Sequence, residues 1–233
     1  MNKVWVGYDA RVPLQYNVLA HSIVTTSSVP IAVIPLILEQ VDKVVHDNGH
    51  GRFNRKGLTY FTYSRFLVPY LNHYEGWSLF LDSDMIVQDD INKLFALADD
   101  RYTVMVVKNQ QKFEWASAML FNNAKCRHLT PEFVMNNKDL HRISWAAPSE
   151  IGDLPPQWNH LENVDGPKEH YSLIHYTQGV PYWDKTANTE NAGSWQMEVA
   201  FMNSMPENWE DLMGGSVHHK EGEIRKGQEG YGK

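Results

Sequence analysis

Short apolar runs alternate with amphipathic segments along the first part of the chain. Residues 3–9 and 30–38 are rich in valine and isoleucine and predict two strands. Residues 11–25, between them, carry apolar side chains at helical spacing. Strand, helix and strand in this order predict a βαβ unit and therefore a parallel sheet.

The same patterns predict further elements. The other predicted strands are residues 77–81, 85–87, 102–107, 115–121 and 171–176. The other predicted helices are residues 59–70, 91–97, 194–202 and 207–213, with one more short helix starting at Pro131. Residues 47–57 predict a polar loop and residues 145–165 an irregular, proline-rich segment. We therefore expect one α/β domain over residues 1–213, followed by a charged, glycine-rich and disordered tail over residues 214–233.

Composition narrows the class of protein. A chain of 233 residues with 42% hydrophobic and 12% aromatic residues can bury a full core. Its formal charge of -7 argues against broad nucleic-acid binding, which needs a basic face. The single cysteine, Cys126, excludes an internal disulfide and a cysteine-built zinc site. We see no signal peptide and no apolar run of about 20 residues, so we expect a soluble, cytoplasmic protein without a transmembrane segment. Nothing in the sequence indicates an oligomeric state.

The pair Asp82 and Asp84, separated by Ser83, interrupts two apolar runs. In an extended chain, residues two apart point the same way, so both carboxylates share one face. Oxygen ligands of this kind suit a hard divalent cation, and the end of a strand is where open α/β sheets bind ligands. Asp and Ser are also ordinary turn residues. The spacing alone therefore leaves a metal site and a plain turn both open.

Three other positions are candidates for chemistry. His175 ends an apolar strand just before a turn containing Gly179, so it is either a core histidine or a third metal ligand. Arg65, on the predicted helix before the aspartate strand, is either a surface cation or a partner for diphosphate or carboxylate oxygens. Asp9, which follows Tyr8 at the end of the first strand, could cap the next helix or bind a nucleoside.

Six segments in this order resemble glycosyltransferase family 8, the glycogenin-like and lipopolysaccharide galactosyltransferase-like enzymes. The resemblance spans roughly residues 3–183. The segments are the valine-rich first strand with Asp9, residues 63–69 (YSRFLVP), 79–84 (LFLDSD), 118–122 (AMLFN), 154–159 (LPPQWN) and 175–183 (HYTQGVPYW). Six weak motifs in the right order are hard to reach by chance, and they favour the metal interpretation of Asp82 and Asp84.

The resemblance implies a GT-A fold, which is Rossmann-like with a mixed, mostly parallel central sheet. It also implies Mn²⁺ or Mg²⁺, a nucleotide-sugar donor, usually a UDP-sugar, and transfer to an acceptor hydroxyl with retention at the anomeric carbon. Carried over by position, the metal ligands are Asp82, Asp84 and His175. The candidate donor-binding residues are Tyr8, Asp9, Arg65, Ser83 and Gly179, with Lys185 as a candidate replacement for a family lysine that this chain lacks. The candidate catalytic residues are Arg65, Asn122 and Glu150, and Trp158 and Trp183 are candidates for stacking on a sugar ring.

Two departures from the family pattern concern the sugar side of the site. Pro181-Tyr182-Trp183 stands where members commonly have Lys-Pro-Trp, so Lys185 or the basic loop with Arg52, Arg55 and Lys56 would have to supply the cation for the diphosphate. The Asp-Gln-Asp segment that normally precedes the Leu-Pro-x-x-Trp-Asn motif is missing, and Glu150 is the candidate carboxylate in that region.

Two other function classes remain open on the sequence. A haloacid-dehalogenase-like phosphatase also places its nucleophile in Asp-x-Asp after an apolar strand, but Ile86 stands where Thr or Val is normal. A catalytically impaired nucleotide-sugar-binding protein would keep the metal ligands and lack turnover.

Overall fold

The computed structural model describes residues 1–202. The helix predicted for residues 207–213 and the tail predicted for residues 214–233 lie outside this range. Within it, the strands are β1 (Lys3–Gly7), β2 (Ala32–Leu36), β3 (Trp77–Leu81), β4 (Met85–Val87), β5 (Val104–Val106), β6 (Ala118–Asn122), β7 (Ile151–Asp153), β8 (His160–Leu161) and β9 (Leu173–His175). The α-helices are α1 (Pro13–Thr26), α2 (Leu38–Asp47), α3 (Val68–Leu71), α4 (Ile91–Phe95), α5 (Pro131–Asn136) and α6 (Ala192–Met202).

Six strands form a mixed, mostly parallel sheet in the order β2-β1-β3-β6-β5-β7. Strand β1 is parallel to β2 and β3, and β5 is parallel to β7. Only β6 runs against its neighbours β3 and β5. The parallel strands β1, β3, β5 and β7 therefore all end at one edge of the sheet, which we call the carboxyl edge. Ligands of open α/β sheets bind at such an edge.

A second sheet of three strands, in the order β4-β9-β8, lies beside the first. Strand β4 pairs antiparallel with β9, so that Met85 faces His175. Residues 82–84 are the direct covalent connection between β3 in the large sheet and β4 in the small one. The polar interruption in the sequence is thus the point where the chain leaves one sheet and enters the other.

The core has apolar layers on both faces of the large sheet, because side chains alternate along a strand. Leu79 and Leu81 pack with α1 residues such as Leu19 on one face. Phe80 packs with α2 residues such as Val41 on the other. Since full burial of a side chain such as Phe80 stabilises the fold by about 1.5–3 kcal/mol, the strand that carries the aspartates is held firmly from both sides.

One predicted helix is wrong over most of its length. Residues 59–70 form turns, a 3-10 segment Ser64–Leu67 and the single-turn helix α3, rather than a continuous helix. Pro69 lacks an N–H and its ring clashes with the carbonyl four residues earlier, which disfavours a helix running through it. Arg65 therefore sits in a 3-10 turn.

Other differences concern short elements. Helix α2 is missing from the sequence-based assignment, and residues 145–165 contain β7 and β8 where irregular chain was expected. The strand expected from residue 115 begins only at Ala118, after a 3-10 segment Lys112–Ser117. None of the helices within residues 1–202 has the length and apolar character needed to cross a membrane.

Candidate functional site

The two aspartates are fixed by the backbone on either side of the junction between the sheets. The Asp82 N–H donates to the carbonyl of Ser117 over 2.9 Å, and the Asp84 carbonyl accepts from the Tyr176 N–H, also over 2.9 Å. The first bond anchors Asp82 to the large sheet and the second anchors Asp84 next to His175 in the small sheet. Both side chains therefore lie at the carboxyl edge.

Asp82, Asp84 and His175 form a compact group of potential ligands. One ligand atom from each residue lies within 4.8 Å of the others. The His175 Nε2 is 3.3 Å from the Asp84 Oδ1, and the imidazole is almost completely buried. Two carboxylate oxygens and an imidazole nitrogen suit a divalent ion such as Mn²⁺ and leave coordination positions for other oxygens. The residues that the sequence predicted as metal ligands are thus brought together in a set that fits a metal.

Arg65 is buried against the first aspartate. Its Nη1 lies 2.9 Å from the Asp82 Oδ1 and donates to the Oδ2 over 3.2 Å and to the Ala116 carbonyl over 2.8 Å. The guanidinium packs between the rings of Phe61 and Phe80, 5.4 and 4.9 Å from their centroids. The surface-cation interpretation of Arg65 is therefore wrong.

Burial is the largest influence on the pKa of Asp82. It raises the pKa of Asp82 to about 7, because the favourable charge of Arg65 does not fully offset desolvation and the repulsion from Asp84. For His175, burial disfavours the charged ring, but the carboxylates of Asp84, Asp82 and Glu114 outweigh it and raise the pKa. Negative charge thus exceeds positive charge in this corner, which is the electrostatic setting that a cation stabilises.

Glu114 is a third acidic residue beside His175, after Asp82 and Asp84, and it was not predicted from the sequence. It lies on the 3-10 segment Lys112–Ser117, with its Oε2 3.8 Å from the His175 Nδ1. The Thr177 hydroxyl donates to its Oε1 over 3.1 Å. No periodicity or spacing in the sequence marks this residue, because only the fold brings the segment against β9.

Asp9 does not cap helix α1, whose N-cap residue is Val12 and which has no side-chain cap. Its buried carboxylate accepts from the Arg11 Nε over 2.9 Å and Nη2 over 2.6 Å, and from the Tyr60 N–H over 3.3 Å. The Arg11 guanidinium next to it lowers the pKa of Asp9. Asp9 therefore fixes Arg11 beside Tyr60, where the guanidinium carbon is 4.9 Å from the ring centroid.

The remaining donor-side candidates lie around the same edge. Half-buried Tyr8 makes an edge-to-face contact with Tyr16, with ring centroids 5.6 Å apart. Ser83 is buried and its hydroxyl donates to the Gln15 side-chain oxygen over 3.3 Å. Gly179 adopts a φ of 112°, which favours glycine, and so permits the turn after His175. Lys185 is exposed in the segment that follows this turn.

Two predicted catalytic residues lie elsewhere. Asn122 pairs with Trp77, at the start of β3, whereas Asp82 follows its end, so about 16 Å of strand separates them. Glu150 precedes β7, and its carbonyl accepts from the Thr103 N–H at the edge where Asn122 also lies. The expectation that Asn122 and Glu150 belong to the site is therefore wrong. The strands that carry them reach the carboxyl edge with their other ends.

The structure also gives the contacts of the basic loop residues and the exposure of the two candidate tryptophans. Arg52 pairs with Asp42 on α2, and Arg55 donates to the carbonyls of residues 134, 135 and 137. The Lys56 ammonium lies 4.2 Å from the centroid of the Tyr60 ring, beside Arg11. Trp158 is buried in the core, so it offers no stacking face, whereas Trp183 is half exposed beside Gly179.

A cleft of about 510 Å³ opens at the carboxyl ends of β5 and β7. Asp153, at the end of β7, stands on this edge, where Glu150 was expected to act. Both polar atoms of the Asn109 side chain are buried in the cleft wall without a hydrogen-bond partner. The Asn109 carbonyl accepts from the Trp115 Nε1 over 2.9 Å, which ties the wall to the segment carrying Glu114. The other lining residues include Lys108, Gln110, Gln111, Leu154, Asp165 and Lys168.

The chain is similar in sequence to a known protein family and to a plant protein. The family model described as glycosyl transferase family 8 matches residues 21–144. Protein CDI of Arabidopsis thaliana is 33% identical over 224 residues, which cover 84% of this chain and 85% of that protein.

Similar solved structures share the fold at low sequence identity. The galactosyltransferase LgtC in complex with donor and acceptor sugar analogues has a TM-score of 0.61 and 14% identity, with 90% of this chain and 99% of that chain covered. The Streptococcus pneumoniae glycosyltransferase GlyE gives 0.64 and 16%, covering 92% and 63%. The bifunctional glycosyltransferase WbbM gives 0.66 and 14%, covering 91% of this chain but 51% of its own length. The fold is that of the GT-A glycosyltransferases.

Proposed function

Because the chain belongs to glycosyltransferase family 8, we propose that it moves a sugar from a nucleotide-sugar donor, a UDP-sugar, to an acceptor hydroxyl with retention at the anomeric carbon. The observation that carries the proposal is the convergence of Asp82, Asp84 and His175 within 4.8 Å at the carboxyl edge. These residues come from two sheets and from sequence positions far apart. A group that only the complete fold assembles is a stronger sign of a site than the Asp-x-Asp spacing.

The donor set fits Mn²⁺ or Mg²⁺, with Asp82, Asp84 and His175 as the protein ligands. When bound, such an ion neutralises the negative charge that grows on a departing nucleoside diphosphate. Arg65 keeps the Asp82 carboxylate oriented toward the junction between the sheets, because its guanidinium holds that side chain from behind. The buried contacts of Arg65 and Asp82 fix the position of the Asp82 carboxylate before the donor binds. Less reorganisation is then needed at the reaction step.

Cations of the chain itself would contact the diphosphate. Arg11 and Lys56 flank the Tyr60 ring next to the end of β1, and both side chains reach solvent. Strand β1 neighbours β3 in register, with Val6 opposite Leu81, so the Asp9–Arg11 turn leaves the sheet beside Asp82. We assign to Arg11, Lys56 and Lys185 the role of the missing family lysine, which is to contact the diphosphate. Tyr8 would contact the nucleoside.

The cleft at β5 and β7 is the natural place for the acceptor. It lies on the side of Asp82 away from β1, two to three strand spacings or about 10–15 Å along the sheet edge. The buried amide of Asn109 has an NH₂ group and an oxygen that both lack hydrogen-bond partners. A hydroxyl group both donates and accepts, so a polyhydroxylated acceptor matches this wall better than an apolar one does.

Binding and turnover are tested separately. Thermal-shift titration of the purified chain with UDP, with and without Mn²⁺, should show a rise in Tm that requires both ligands. A panel of nucleotide sugars is then screened for Mn²⁺-dependent release of the nucleoside diphosphate, and NMR of the product gives the anomeric configuration.

The outcomes separate the function classes. UDP release with transfer supports the enzyme, and binding without release from any donor and acceptor pair would favour a nucleotide-sugar-binding protein. Absence of any shift with every nucleoside diphosphate plus metal would overturn the proposal. Release of inorganic phosphate from simple esters would favour the phosphatase alternative.

A further inference from the structure

We propose that Glu114 is a positioning residue that fixes the orientation and proton position of His175, so that the Nε2 atom is presented to the metal. This inference rests on the proposed metal site. Glu114 lies outside the group of three ligands, on the side of the imidazole that carries Nδ1.

The two ring nitrogens of His175 point to different carboxylates. The Nε2 is 3.3 Å from the Asp84 Oδ1, on the side of the ligand group. The Nδ1 is buried without a hydrogen-bond partner, and the Glu114 Oε2 lies 3.8 Å away. A small approach of Glu114 would complete an Nδ1–H···O bond, which leaves the Nε2 lone pair free for a cation. Metal-binding histidines generally donate their second N–H to a carboxylate or carbonyl in this way.

Glu114 is itself held at both ends, as a positioning residue must be. Its Oε1 accepts from the Thr177 hydroxyl, two residues beyond His175, over 3.1 Å. Its backbone carbonyl accepts from the Ser117 hydroxyl over 2.6 Å and from the Asn159 side-chain amide over 3.2 Å. The carboxylate is therefore tied to the segment that directly follows the histidine.

The chemistry of this arrangement predicts a graded response to substitution. Leucine in place of Glu114 removes the acceptor, so the imidazole can carry its proton on either nitrogen and rotate. Glutamine keeps an oxygen that accepts the Nδ1–H bond. Valine in place of Thr177 keeps the carboxylate but removes the hydroxyl that steers it.

The test uses Mn²⁺ alone as the probe, with the free-ion signal in electron paramagnetic resonance as the measure of binding to the full chain. Glu114→Leu should weaken Mn²⁺ binding about 10–100-fold, as expected for the outer partner of a ligating histidine. Glu114→Gln should retain most of the affinity, and Thr177→Val should fall between them. The surface substitution Glu39→Gln, in the first turn of α2, is the matched control and should leave the affinity unchanged.

A second readout reports on the histidine directly. In ¹⁵N-labelled protein with diamagnetic Zn²⁺, long-range ¹H–¹⁵N spectra should show the metal on Nε2 and a proton on Nδ1 of His175. Coordination through Nδ1, or Glu114→Leu binding Mn²⁺ within twofold of the unsubstituted chain, would overturn the assignment while leaving the metal site intact. No Mn²⁺ binding by the unsubstituted chain would overturn the metal site and this inference together.

Discussion

The guanidinium of Arg65 lies behind Asp82, 2.9 Å from its Oδ1, in a space closed by Phe61 and Phe80. At pH 9, above the raised pKa of Asp82, Arg65→Met leaves this buried carboxylate without its cationic partner. We expect metal-free protein to lose about 3 kcal/mol of unfolding free energy in urea at that pH. The double variant Arg65→Met/Asp82→Asn should recover part of that loss, because it removes the stranded charge. A single variant as stable as the unsubstituted chain would mean that the pair does not support the fold.

Asp84 should matter for the metal more than for the fold. Its side chain is 27% exposed, and among the described residues no Lys or Arg forms an ion pair with it. Asp84→Asn should therefore lower Mn²⁺ affinity by about 100-fold or more, beyond the loss typical of an outer-shell partner, with little change in Tm. Asp47→Asn, on the exposed end of α2, is the control. Unchanged Mn²⁺ binding in Asp84→Asn would remove Asp84 from the ligand set.

His141 should make the fold sensitive to acid. It stacks on Phe113 at a centroid distance of 4.8 Å, and burial, with Arg65 and Arg55 nearby, lowers its pKa to about 3. The pKa of His141 is lower in the folded state than the 6.5 of the unfolded state. As the pH falls, the unfolded state therefore binds the proton at a higher pH than the folded state does. Its contribution to stability is therefore full above pH 6.5 and is lost as the pH falls toward 3, by up to about 1.4 kcal/mol per pH unit.

The measurement is urea unfolding between pH 7 and pH 4 for the unsubstituted chain and for His141→Phe, which keeps the aromatic contact. The difference in unfolding free energy between the two proteins should move in favour of phenylalanine as the pH falls. A difference that stays constant over this range would show that His141 is not the acid-sensitive group. Asp82, whose pKa is raised, contributes with the opposite sign in both proteins and cancels from the comparison.

The acceptor side is tested at Asn109. Asn109→Ala removes the unfilled donor and acceptor from the cleft wall, so the KM for the acceptor should rise by about tenfold, the loss expected for one hydrogen bond of about 1.4 kcal/mol. Mn²⁺ and UDP binding should not change, because the cleft lies along the edge from the metal ligands. Asn136→Ala, on α5, is the matched surface control. A shift in donor affinity without a change in acceptor KM would place the acceptor elsewhere.

The sequence predicted correctly those site residues whose position depends only on where one apolar strand ends. Asp82 and Asp84 follow a buried strand, and that strand sits in the middle of the sheet as its apolar pattern predicts. The histidine was found because an apolar strand ends at it. Pattern and family resemblance together therefore predicted the fold and the group formed by Asp82, Asp84 and His175.

The failures share a physical cause. Asn122 ends an antiparallel strand, and the end of such a strand lies at the opposite edge from the ends of its parallel neighbours. Glu150 precedes a strand, whereas Asp153 ends it. A linear sequence shows where a strand stops but not which way it runs in the sheet. Glu114 was missed for a related reason, because its only mark is proximity to a strand 61 residues later (175 − 114 = 61).

The pairing of β4 with β9 also sets an order of events during synthesis. Asp84 and His175 are neighbours in the fold but 91 residues apart in the chain (175 − 84 = 91). At about 5–20 residues per second, a ribosome needs roughly 5–20 s to pass from one to the other. Both aspartates therefore leave the ribosome well before their histidine, and a nascent chain that halts between β4 and β9 carries two carboxylates without the imidazole that completes the group.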